Sequence, residues 1–191
     1  MLIPVCAFAL ASLLLVPTLH SASAAATAPD TSALEFFGFR AGARLDELAT
    51  HLRGFSGSRM RCRRSRIDLR VSECRATLRQ PQLAPVEVWL SAMDSVAGVI
   101  MLSGIVTPGQ LEEWRDVLEA RYGRVGTRLQ GAQSTLQWVR RGRMIRLTWR
   151  LERGQKVASV SLVDGHVLDR WGRSGAARAT SSAAQPLSRT K

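Results

Sequence analysis

Apolar positions along the chain fall into two helical stripes and a series of alternating runs. After Gly42, the residues Leu45, Leu48, Ala49 and Leu52 recur at helical spacing, and Gly54 ends the run. The second stripe is longer. Thr107 suits an N-cap, Pro108 suits the first helical position, and Gln110 completes a Thr-x-x-Gln capping box. Leu111, Trp114, Val117, Leu118 and Tyr122 share one face, with Glu112, Glu113, Asp116 and Glu119 largely on the other, and Gly123 stops the helix. Elsewhere the period is two. Ile67, Leu69 and Val71 alternate with Asp68, Arg70 and Ser72. Val86, Val88 and Leu90 alternate with Glu87 and Trp89. Val96 to Ile105 is apolar on both faces, as a central strand is. Leu136 and Trp138 precede a turn at Arg141-Gly142. Ile145, Leu147, Trp149 and Leu151 follow it on one face, and a last strand runs from Val157 to Val163, ending at Asp164-Gly165.

The order is helix and three strands, then helix and three strands again. Leu45-Asp46-Glu47-Leu48 echoes Leu111-Glu112-Glu113-Trp114. Short turns favour antiparallel pairing, so the expected fold class is α+β: an antiparallel sheet of about six strands with two helices on one face. A tandem αβββ repeat is one form of this order, and two small subdomains are the other.

The N-terminus changes the picture of where this domain works. Val5 to Val16 is uncharged and apolar, Pro17 breaks it, and Ala22-Ser23-Ala24 and Ala24-Ala25-Ala26 both fit the small-x-small rule of signal peptidase. Residues 1–26 therefore read as a signal peptide, 27–33 as a linker and 34–172 as one α+β domain. The run is shorter than the ~20 apolar residues of a spanning helix, so an uncleaved anchor is the lesser reading. No later segment has the length and apolarity of a span, and the expected location is periplasmic or secreted. Residues 173–191 hold Ser, Ala, Thr, Gly, Arg and a Pro with no acidic or aromatic side chain, and are expected to be a disordered basic tail.

Cysteine and charge follow from that address. With Cys6 in the signal segment, Cys62 and Cys74 remain, and two cysteines in an oxidising compartment predict one disulfide. The formal net charge is +12, and every charged side chain lies at or after Asp30. Arg supplies nearly all the positive charge, Lys156 and Lys191 being the only lysines. Such a chain is drawn to anionic surfaces.

Phe37-Gly38-x-x-x-Gly42 running into Leu45-x-x-Leu48, the Tyr122-Gly123 helix ending and the Trp138 strand together resemble a group of small bacterial envelope domains. These are the small lipoprotein of the outer-membrane barrel-assembly machinery (the SmpA/OmlA type) and the tandem-repeat β-lactamase-inhibitor-protein type. The resemblance implies a two-layer α+β fold and an envelope role. It carries over no functional residue, and the lipidated cysteine of the lipoprotein type is missing.

Chemistry is sparse. His51 and His166 fit no H-x-x-x-H or C-x-x-H spacing, so no metal or cofactor is expected, and each reads as a structural histidine. No Gly-x-Ser-x-Gly elbow is present, and no catalytic residue is assigned. The features best suited to binding are basic. Arg61, Arg63, Arg64 and Arg66 crowd the neighbourhood of Cys62, and Arg140, Arg141 and Arg143 occupy a hairpin tip. If the halves pair side by side, these form one patch of guanidinium forks suited to phosphate or carboxylate. Aromatics that would stack on bases are scarce beside them, so no specific nucleic acid is expected. The function expected is an exported, non-enzymatic binding or accessory module of the cell envelope, whose partner is an envelope protein or an anionic polymer or lipid surface. The alternative is an inhibitor of a secreted or periplasmic enzyme, and the third reading is an enzyme with an unfamiliar site. The oligomeric state is left open.

Overall fold

Glycine-containing two-residue turns and one capped helix set the element boundaries. The computed structural model describes residues 33–55, 58–79 and 84–172. The expected signal peptide, nearly all of the linker and the basic tail lie outside these residues. The element order is β1 (Glu35–Phe36), β2 (Phe39–Arg40), α1 (Leu45–Arg53), β3 (Arg61–Arg64), β4 (Val71–Leu78), β5 (Val86–Met93) and β6 (Val96–Val106). Then come α2 (Pro108–Tyr122), β7 (Arg128–Gln130), β8 (Gln133–Arg140), β9 (Arg143–Glu152) and β10 (Gln155–Asp164). A short helix, α3, covers 165–172. None of these helices is long and apolar enough to cross a membrane.

Four hairpins close through two-residue loops with left-handed φ at both positions: Phe37-Gly38, Asp94-Ser95, Arg141-Gly142 and Arg153-Gly154. Loops of that kind match the twist of the strands they join. At Gly38 space adds to the demand, because a Cβ there would run into the His51 ring. At Gly42 a Cβ would lie 2.6 Å from Asp164 Oδ2. The glycines of the opening motif thus have a steric cause.

The main sheet has eight antiparallel strands in the order β3-β4-β5-β6-β10-β9-β8-β7, with β1 and β2 as a separate pair. The fold is α+β, as expected, but the strand count is eight and two rather than six. The additional strands β3 and β7 are sheet edges whose residues are all exposed. Neither has a buried face, so neither carries an apolar alternation to read. Each half is a helix followed by four antiparallel strands, and the halves meet where β6 pairs with β10, Leu102 opposite Val160. Val96–Val106 is central, as its two-sided apolar pattern predicts.

One contiguous core holds the sheet and both long helices. It contains Leu48 and Leu52 of α1, Leu111, Trp114, Leu118 and Tyr122 of α2, and alternate residues of β4 to β6 and β8 to β10. Thr107 caps α2, its Oγ1 accepting from Gln110 N at 3.1 Å. Val117, expected on the buried stripe, is instead 51% exposed. Leu151 is also exposed, since β9 and β10 run on past the core to their own turn. The expected ending at Asp164-Gly165 is the start of α3. Asp164 Oδ1 accepts from His166 N at 2.9 Å and from Val167 N at 3.3 Å, as an N-cap does. A Cβ at Gly98 would meet Val167 and Leu168 at 3.1 Å, so a glycine is what admits α3 against β6. Ser91 and Met93 alternate with core-facing Leu90 and Ala92, yet they are buried at this end of the sheet.

The alternation at Ile67, Leu69 and Val71 misleads. Residues 65–70 form the tip of the β3–β4 hairpin, and only Val71 begins a strand. Ser65 and Asp68 explain this, because their side-chain oxygens take up local N–H groups that a strand would offer to a neighbour.

Candidate anion-binding hairpin and open sheet face

The cysteines place the first arginine cluster. Cys62 and Cys74 face each other in the β3–β4 register and form the disulfide. Cys74 points into the core, so its neighbours Glu73 and Arg75 point to the opposite face of the sheet, with Arg63 and Arg61 beside them. Arg61, Arg63, Arg64 and Arg66 are all exposed. Arg63 approaches Glu73 at 3.9 Å, both largely in solvent, which is worth little. Arg61, Arg64 and Arg66 have no hydrogen-bond or ion-pair partner among the described residues, and Arg61 stands directly opposite Arg75. Like charges so placed repel unless an anion sits between them.

The second cluster is spent within the fold. Arg140 Nη2 donates to Tyr122 O at 2.9 Å and lies 5.5 Å from the Tyr122 ring centroid. Together with Trp138 Nε1, which donates to Gly123 O at 2.6 Å, it satisfies the end of α2. Arg143 Nε donates to Asp164 Oδ2 at 2.9 Å. Burial pushes the Asp164 carboxyl up, but the Arg143 hydrogen bond, the Val167 N–H, the Arg143 charge and the His166 N–H outweigh it. The pKa is held below the usual carboxylate value. Arg141 alone of the three points outward, on the turn itself.

The two clusters do not join into one patch. Six strand spacings separate β3 from β8, about 29 Å across the sheet. They do share one end of it. Val99 pairs with Val163, and Val163 with Met144, so the Asp94-Ser95 and Arg141-Gly142 turns lie on the same rim. The β3–β4 tip lies there too, as Asp94 N donates to Arg70 O at 3.0 Å.

A second feature, not singled out as a site from sequence, is the sheet face turned away from α1 and α2. The register lays out one continuous row across it: Arg61, Arg75, Trp89, Met101, Ser161, Arg146 and Gln137. Arg146 is engaged by Gln137 Oε1 at 2.7 and 2.9 Å. Trp89 is half-buried, and with Arg75, Glu87, Met101 and Ser103 it lines a shallow depression of about 390 Å³. The alternation of β5 placed Trp89 opposite the core, but cross-strand register was needed to bring Arg75 beside it.

Both histidines are built into the framework. His51 Nε2 donates to Phe37 O at 2.7 Å between the rings of Phe39 and Phe55. His166 Nε2 donates to Arg141 O at 3.0 Å. Among the described residues no group of three His, Cys, Asp or Glu is placed to hold a metal ion. The chain matches no protein-family model, no curated protein and no solved structure.

Proposed function

We propose that this protein is an exported, non-enzymatic binding module of the cell envelope that takes an anionic partner on its β3–β4 hairpin. The observation that carries this reading is the contrast between the two clusters. Arg140 and Arg143 are consumed by Tyr122 and Asp164, whereas Arg61, Arg64 and Arg66 are exposed and unpartnered among the described residues. Guanidinium groups held on a disulfide-pinned strand lose less freedom on binding than groups on a loose loop. The commitment of His51, His166 and Asp164 to structural contacts supports a binding role over a catalytic one.

Inhibition of a secreted or periplasmic enzyme is the second reading, and the open face favours it. Trp89, Met101 and Arg75 are residue types enriched where proteins meet.

Retention on immobilised heparin across a salt series tests the first reading. Binding through these arginines weakens steeply with salt, because exposed charges are screened within about 8 Å at physiological ionic strength. R64E/R66E is expected to elute at much lower salt than R178E/R189E, whose positions lie in the basic tail outside the described residues. Equal losses for the two variants would reduce the effect to diffuse net charge. No retention at low salt would leave the Trp89 face and a protein partner.

A further inference from the structure

Resting on that reading, we propose that the β3–β4 hairpin tip docks on an anionic lipid bilayer, seating Ile67 and Leu69 among the headgroups while Arg64 and Arg66 pair with lipid phosphate. Ile67 is 95% exposed and Leu69 71% exposed, the first and third most exposed of the large apolar side chains described. A single exposed aliphatic is ordinary on a soluble protein. Two on one six-residue tip, beside unpartnered guanidinium groups, form a distinct pattern.

The tip is built to hold them out. Ser65 Oγ accepts from Ile67 N at 3.2 Å. Asp68 Oδ1 accepts from Arg70 N at 3.1 Å, and Asp68 Oδ2 from Arg70 Nη2 at 2.9 Å. Backbone bonds from Val71 N to Asp68 O and from Ser65 N to Val71 O close the turn at 2.9 and 2.8 Å. The Cys62–Cys74 bridge keeps the two legs together below it. The aliphatic side chains are therefore presented by an ordered turn.

Position adds to the argument. The last β4–β5 pair is Val71 with Met93, so residues 65–70 project past the neighbouring strand. Arg141 lies on the same rim of the sheet, so a flat surface meeting that rim would meet Arg141 as well as Arg64 and Arg66. A hairpin tip is convex and small, whereas a stable protein interface needs about 800 Å² from each partner and a pocket for its anchors. Membrane association by a short apolar insertion combined with basic side chains needs neither.

The test uses residues 31–191, which contain every residue of the core. The probes are vesicles of one part phosphatidylglycerol to three parts phosphatidylcholine, vesicles of phosphatidylcholine alone, and heparin. Co-sedimentation is expected with the anionic vesicles only. I67S/L69S, which alters exposed positions, is expected to lose about ten-fold in vesicle partitioning and to keep its heparin retention. R64E/R66E is expected to lose both. I67W is expected to gain quenching by brominated lipid beyond that of the wild type. Heparin retention without vesicle binding would overturn the membrane proposal and leave the anionic-polymer reading standing. Vesicle binding undiminished in I67S/L69S, with I67W unquenched, would overturn the insertion of the tip. Failure on heparin and vesicles alike would overturn both readings.

Discussion

The Tyr122 hydroxyl grips the backbone of Glu35 at both of its polar groups, accepting from Glu35 N at 2.7 Å and donating to Glu35 O at 2.8 Å. The last residue of α2 thereby holds β1, which opens the folded region. Burial first, and then the Glu35 charge, push the Tyr122 phenol up, against the hydrogen bond from the Glu35 N–H and the charges of Arg121 and Arg140.

Tyr122→Phe keeps the ring contacts with Trp138 and Arg140 and removes both hydrogen bonds. It is expected to cost about 1–3 kcal/mol in urea unfolding, because buried polar groups lose their partner. Arg121→Gln, which removes the exposed ion pair to Glu35 at 3.3 Å and the guanidinium 5.7 Å from the Tyr122 ring centroid but keeps both hydroxyl hydrogen bonds, is expected to cost about 1 kcal/mol or less. The pH dependence has a definite sign. An acid whose folded pKa is raised is favoured neutral in the fold. Its contribution is therefore complete below the unfolded value of about 10 and is lost as pH rises through the higher folded value. Tyr122→Phe should flatten that alkaline limb.

Asp164 gives the opposite limb. Its pKa is lowered in the fold, so its contribution is present above the unfolded value of about 3.9 and is lost as pH falls through the folded one. Asp164→Asn leaves the Arg143 guanidinium without its charged partner and weakens the cap of α3. A loss of about 2 kcal/mol is expected at neutral pH. Unfolding curves between pH 2 and 7 should show wild type and variant converging below the unfolded carboxylate value.

The disulfide is expected to act locally. Cys62 and Cys74 close a sequence separation of 12, and by the chain-entropy estimate their bridge contributes about 3 kcal/mol. Because β3 is an edge strand, the double variant C62S/C74S should keep the remaining strands folded. Hydrogen exchange should rise first at residues 61–64, and heparin retention should fall with it. Uniform acceleration across β5, β6 and β10 would mean that the bridge supports the whole fold instead.

How much of this was legible beforehand depends on what a periodic pattern can carry. Val96 to Ile105 was readable as a central strand because it is apolar at both sets of alternating positions, although in the fold Met101 and Ser103 line the open face and Ile105 is exposed. The second helix was readable because Thr107, Pro108 and Gly123 mark its ends. The strands β3 and β7 were not, since an edge strand of exposed residues leaves no apolar trace. Ile67 and Leu69 imitated a strand because alternation records residue type and not the Ser65 and Asp68 hydrogen bonds that bend the chain there.

The amino-acid sequence by itself determined the α+β class, the two long helices, the central strand and the cysteine pair, because each rests on local chemistry or on the burial of one face. Only the tertiary structure decided which arginines are available. Arg63 and Arg143 look alike in sequence, and nothing local distinguishes them. Arg143 meets a buried carboxylate 21 residues away across the sheet, whereas Arg63 on the edge strand faces solvent with only the exposed Glu73 nearby. Pairing between distant strands set that difference, and with it the separation of two clusters that charge counting alone would merge.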